Sequence, residues 1–302
     1  MSHFTLTALA TLAATTSFAQ SSVTIYGTLD AGYSKSSLAA ATLGPRMGQS
    51  NGNSLAGGIG SFHNPSRFGF KGSEDLGGGL TANFNLETGG LDMATGNAAN
   101  VNNATGDFSF NREAWVGLAG AFGSTRIGRT SSVAAQANAA FDFNHISASS
   151  AMASVGISPV TWYSSSRRSA QFQYSTPTVS GFSAGLGYVA AGDNGAVGSE
   201  KATTQARVNY ANGPLAVGFT TETARAAANR TASAVFASYD LGMAKIGAGS
   251  VTSEKVAAAA NAIGSMNGGK GSYFNVDVPF GAFNVGVQYA KNTQSKDDAT
   301  EL

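Results

Sequence analysis

Cysteine is absent from these 302 residues. No disulfide framework, thiolate metal site or thiol nucleophile can therefore be built. Charge is scarce too: Asp, Glu, Lys and Arg make up 12% of the chain. That is about half the share usual in soluble domains. Lys and Arg number 18 against 17 for Asp and Glu, a balance of +1. Nucleic-acid binding calls for a basic excess or stripe, which this balance does not suggest. Proline is low at 6 residues, and no apolar run approaches the length of a membrane-spanning helix. Of the three histidines, His3 falls in the leader and His63 and His145 in loops. A catalytic His needs Ser or Asp partners on ordered elements, so a hydrolytic barrel enzyme has little support. Two histidines and scattered carboxylates give no metal-ligand spacing, and no cofactor is implied.

Glycine, in contrast, is plentiful at 39 residues, and mean hydropathy is close to zero at −0.03. A sheet with one face in lipid and the other in water averages to such a value. So does an extracellular β-protein rich in Gly, Ala and Ser, and composition leaves both open. Met1–Ala19 reads as an export signal, with an apolar stretch Leu6–Ala14 and Ser17 and Ala19 before a cut at Gln20. Its n-region carries only His3 and the α-amino group, without Lys or Arg.

Beyond Gln20 the pattern is strands separated by two kinds of joint. Short Gly-rich joints fall at Glu74–Gly79, Gly120–Gly123, Asn212–Pro214, Asp240–Gly242 and Pro279–Gly281. They supply the positive-φ positions of tight hairpins. Long joints lie at about 35–64, 91–107, 130–160, 191–200, 224–231 and 254–271. Strict alternation of short and long joints is the layout of a transmembrane antiparallel up-and-down β-barrel. The pattern predicts strands at 22–34, 65–73, 79–89, 109–120, 124–130, 167–177, 181–190, 201–211, 215–224, 231–240, 244–253, 272–279 and 282–293. A fourteenth is expected to start at Ala299–Leu302.

Period-2 parity separates the faces. Val23, Ile25 and Leu29 oppose Thr24, Tyr26 and Thr28; Phe68 and Phe70 oppose Arg67 and Lys71. Ala206, Val208 and Tyr210 oppose Gln205, Arg207 and Asn209, and Phe283, Val285, Val287 and Tyr289 oppose Asn284 and Gln288. A polar second face on strand after strand means that this face sees water. Tyr26, Tyr33, Phe68, Tyr163, Tyr174, Phe182, Tyr188, Tyr210, Tyr239, Tyr273 and Tyr289 lie near strand ends. They are expected to form aromatic girdles at the membrane interfaces.

Three segments resemble the general diffusion porins of β-proteobacteria, of the Neisseria, Bordetella and Burkholderia type. They are Gln20–Gly32, Ser66–Leu80 with Ala82–Glu87, and Asn111–Leu118 with Phe122–Arg129. The strong resemblance spans 20–130, and 160–293 matches by layout. It implies an all-β, sixteen-stranded outer-membrane barrel. It also implies outer-membrane lipid as surroundings, a homotrimer, and passage of small hydrophilic solutes and ions. An inward-folded constriction loop is expected at 130–160 within a barrel domain 20–302. Where relatives carry a Pro-Glu-Phe-Gly-Gly-like turn in this loop, this chain has Ala-Ala-Phe-Asp-Phe at 139–143. Relatives end on a strand with a terminal aromatic, whereas this sequence ends at Leu302. The count is even in bacterial barrels, so a fragment lacking about three strands is expected. The alternative is a fourteen-stranded barrel closed by loop residues.

A channel works through size, wall charge and constriction rather than bond chemistry. The candidate pore-lining and constriction residues are Arg67, Lys71, Arg112, Arg126, Asp142 and Arg207. Of adjacent Arg167 and Arg168, parity admits only one inward. Asp30, Glu87, Glu113 and Asp142 are the expected opposing acids. Inward bases then outnumber inward acids, and a weak anion preference follows. A non-conducting structural or adhesive barrel is the competing class. It would need a long plug or large binding loops, and a loop at 130–160 is porin-sized.

Overall fold

The computed structural model describes residues 22–30, 32–34, 58–60, 66–91, 109–143, 150–154, 157, 166–190, 202–225, 230–253, 270–293 and 297–301. The expected signal at 1–19 lies outside them, as do His63, His145 and Tyr163. The strands are β1 Ser22–Thr28, β2 Gly32–Ser34, β3 Gly58–Gly60, β4 Ser66–Gly77, β5 Leu80–Leu91, β6 Glu113–Gly120 and β7 Gly123–Ser131. Helices α1 Val133–Ala139 and α2 Ala151–Ser154 follow. Then come β8 Arg167–Ser175, β9 Phe182–Val189, β10 Ala202–Asn212, β11 Leu215–Arg225 and β12 Arg230–Asp240. The series ends with β13 Lys245–Ser253, β14 Lys270–Phe280, β15 Phe283–Asn292 and β16 Asp297–Glu301.

Among the described residues, β1 and β4 to β16 form one 14-stranded sheet in which neighbours in sequence are neighbours in space. Every ladder is antiparallel, so the order is up-and-down throughout. β2 and β3 pair separately, so the first expected strand, 22–34, is broken after Thr28. β4 runs on to Gly77, further than expected, because Gly77, Gly78 and Gly79 take up the positive φ of the turn. Gly213 (φ 56°) and Gly281 (φ 61°) do the same for the β10–β11 and β14–β15 turns. β16 starts two residues before the expected fourteenth strand. β1 and β16 do not pair with each other among the described residues, and closing the sheet requires joining them, directly or through further strands.

The two faces are chemically opposite. Val208, Phe219 and Val235 form one cross-strand row over β10, β11 and β12. They are 49%, 46% and 48% exposed. Rows of exposed large apolar side chains like this suit lipid and would aggregate in water. Tyr174, Phe182, Tyr210 and Tyr239 share this outward parity at the short-turn end, where an interfacial girdle belongs.

The concave face carries the buried residues. α1 packs on β9, β10 and β11, and α2 on β15 and β16, so the segment after β7 crosses this face. Ser132 caps α1 by accepting from the Ala135 N–H at 3.1 Å. The wall holds the segment by side chains. Gln205 Oε1 accepts from the Val133 N–H (2.6 Å), Asn275 Nδ2 donates to the Phe141 carbonyl (2.9 Å), and Gln288 Oε1 accepts from the Ala151 N–H (2.7 Å). Phe141 stacks on Phe236 of β12 with centroids 5.2 Å apart and planes at 14°, and Phe236 meets Tyr273 of β14 at 6.0 Å. Met152, Ile157 and Val251 complete an apolar cluster inside the sheet. Tyr26 and Tyr273, expected in the girdles, instead point inward: Tyr26 bonds Glu87, and Tyr273 is buried in this cluster. The helices were not expected, although Val133-Ala-Ala-Gln-Ala-Asn-Ala139 has high helix propensity.

Phe141→Ala should cost about 3–5 kcal/mol in denaturant titrations of the folded protein, with strand content unchanged by circular dichroism. Val235→Arg should cost about 2–4 kcal/mol in lipid by placing a charge on the outward row.

Candidate functional site in the concave wall

Charged residues of the concave wall are held in two different ways. The first way is carboxylate pairing. Glu87 of β5 and Glu113 of β6 stand directly opposite in register. Like charges so placed repel unless neutralised. Arg112 donates from Nε to Glu87 Oε1 at 2.5 Å, and Arg67 Nε lies 3.6 Å from Oε2. The Tyr26 hydroxyl donates to the same oxygen at 2.9 Å. Glu113 Oε1 accepts from Ser131 Oγ at 3.0 Å and pairs with Arg167 Nε at 3.3 Å. Arg167 is thus the inward member of the adjacent arginines. Arg67 and Arg112 pair with Glu87 on the concave face, so their charge is taken up by an acid of the same wall. The expected opposition of a basic wall and separate acids is corrected here: Glu87 and Glu113 sit among the arginines.

The second way leaves the charge intact. Lys71 Nζ sits 5.2 Å from the centroid of the Tyr26 ring, and the Arg126 guanidinium 4.6 Å from that of Trp115. Neither cation has a carboxylate in pairing range among the described residues. A ring face holds a cation in place through its quadrupole without cancelling its charge. Arg207 of β10 reaches Ser175 Oγ at 3.5 Å and lies close enough to Arg126 for the two to repel. Lys71, Arg126 and Arg207 therefore keep their positive charge on the concave face.

Asp142 differs from its expected role. It follows α1 in the inward segment, but is only 1% exposed. Its Oδ2 accepts from Ser150 Oγ at 2.8 Å and its Oδ1 from Gln288 Nε2 at 2.9 Å. Facing the wall, it anchors the segment to β15 and has almost no contact with solvent. Asp30 lies just past β1, its backbone N–H and C=O both bonded to Ser66 Oγ.

Trp115 and Tyr26, the rings that hold the cations, were not among the candidate site residues. Parity shows them: Trp115 shares its face with Glu113, and Tyr26 with Thr24.

Comparison with known proteins is consistent with this layout. A family model described as Gram-negative porin matches residues 5–302. Outer membrane porin protein 32 of Delftia acidovorans is 32% identical over 261 residues, covering 80% of this chain and 67% of that protein. An outer membrane porin protein of Bordetella pertussis is 32% identical over 241 residues, covering 74% of this chain and 60% of that one. In fold, the chain is similar to the anion-selective porin from Comamonas acidovorans, with TM-score 0.69, 24% identity, and coverage of 93% of this chain and 82% of that one.

Glu87→Gln should release Arg67 and Arg112 from their shared partner. The expected cost is about 3–5 kcal/mol of stability, since two partly buried guanidinium groups lose their counter-charge. Chemical denaturation against the parent protein checks it.

Proposed function

Because the chain belongs to the Gram-negative porin family and lies in the outer membrane, we propose that it forms a water-filled channel for passive diffusion of small hydrophilic solutes and ions, with a weak anion preference. The carrying observation is the sorting of charge on the concave wall. Glu87 and Glu113 are neutralised by Arg67, Arg112 and Arg167, while Lys71, Arg126 and Arg207 keep net positive charge. Asp142, buried against β15, lies on the covered side, away from these cations.

The mechanism in this reading is electrostatic and steric. The segment bearing α1 and α2 covers the concave side of β9–β11 and of β15–β16. Solutes then pass beside β1 and β4–β8, past the ring-held cations. A wall charge raises the local concentration of counter-ions and lowers that of co-ions. A unit charge about 5 Å from the path in water contributes about 0.8 kcal/mol, or about fourfold in ion occupancy. Salt reduces this, because the screening length is only about 10 Å at 0.1 M. Export through the signal at 1–19, a trimeric assembly in outer-membrane lipid and the absence of any catalytic step belong to the same proposal.

The test is the reversal potential in a planar bilayer under a KCl gradient. The expected sign is anion-selective. Replacing both Arg126 and Arg207 by Gln should move it toward cations, with the occupancy of each ion changing by up to about fourfold per charge at low salt. A cation-selective sign in the unsubstituted protein would overturn the anion preference, and absence of current would overturn the channel.

A further inference from the structure

A cavity of about 410 Å³ opens on the concave wall beside β1, β4, β5, β6 and β7. That volume is within the range of small-molecule sites. Thr24, Lys71, Asn83, Asn85, Trp115 and Arg126 line it, and no Asp or Glu does. The donors there are unusually free. Among the described residues, Arg126 and Lys71 meet ring faces and no carboxylate. Trp115 Nε1 is buried without a hydrogen-bond partner. Lys71 is exposed and Arg126 half-buried, so an anion entering the cavity meets two cations that no acid cancels. Tyr26 is tied down by its hydroxyl, which lies between the Glu87 carboxylate at 2.9 Å and the Asn85 side-chain amide at 2.8 Å. The ring under Lys71 is therefore fixed before any solute arrives.

From this geometry we infer that the cavity is a binding subsite for a small aromatic carboxylate. The inference rests on the channel reading above and names the solute class that its wall favours. A carboxylate takes its hydrogen bond from the Lys71 ammonium, and the nearby Arg126 charge favours it further. An aromatic ring attached to it packs beside Trp115 and presents its electron-rich face to Arg126, as Trp115 itself does. A saturated ring of equal size offers the same volume and charge but no such face. Acetate offers the charge alone. Asn83 and Asn85 supply polar edges for substituents on the ring.

The experiment compares benzoate, cyclohexanecarboxylate and acetate by calorimetry on the full chain folded in detergent. Benzoate should bind about threefold to tenfold more tightly than cyclohexanecarboxylate, with acetate weakest. Trp115→Leu should bring the benzoate to cyclohexanecarboxylate ratio close to one. Arg126→Gln should do the same and weaken both acids, and it provides a second variant should the first not fold. Equal binding of the two ring acids to the parent protein would overturn the inference. So would a ratio unchanged in both folded variants. Reversal potentials on the same preparations separate the two levels. Equal binding with an anion-selective current sinks the aromatic preference alone, and a cation-selective current sinks the anion preference of the channel with it.

Discussion

Every N–H and C=O placed in lipid needs a partner within the protein, and the architecture follows from that constraint. Strands satisfy it only by pairing along their whole length. Chain neighbours joined by tight turns pair most directly, which yields the consecutive antiparallel order from β4 to β16. Once that ladder is fixed, the two-residue period assigns each side chain to lipid or to the interior. Val208 faces out because Arg207 faces in, and one slip in register would exchange them.

The interior inverts the arrangement of a water-soluble protein. The large apolar side chains of the strands are exposed on the outside. Tight apolar packing is found where the segment after β7 meets the inner wall, around Phe141, Phe236 and Tyr273. That packing, with the hydrogen bonds from Gln205, Asn275 and Gln288, fixes how much of the interior the segment covers. Charge is handled on the uncovered side. There the wall neutralises Arg67, Arg112 and Arg167 with carboxylates, yet holds Lys71 and Arg126 with rings. Both devices restrain long flexible side chains. Only the second leaves a field for a passing solute to feel.

Strand order, turn positions and face assignment were legible because each depends on local rules. Gly-rich turns punctuate the chain, and parity reports the face, which puts Arg67, Lys71, Arg126 and Arg207 on the polar side of their strands. Parity also covers Tyr26, which it sets on the polar face although its aromatic type suggests a girdle, and Trp115, to which the sequence assigns no role. Asp142 was unreadable for a different reason. Its burial depends on Gln288, 146 positions away in sequence, and no local pattern reports such a contact. The pairing of Glu87 and Glu113 with the arginines likewise depends on cross-strand register. The alanine-rich α1 was readable by propensity, but its place on β9–β11 was not.

The central claim is that one side of each strand meets lipid and the other meets water. Because the chain has no cysteine, single-cysteine variants each carry one thiol. Positions 82 to 85 of β5, on the uncovered side, would be replaced one at a time, the proteins folded into lipid vesicles, and a membrane-impermeant, water-soluble maleimide applied from both sides. Modification should alternate, fast at 83 and 85 and slow at 82 and 84. Uniform modification along the strand, or fast reaction at 82 and 84, would contradict the two-faced wall from which the charge sorting and the channel reading are argued.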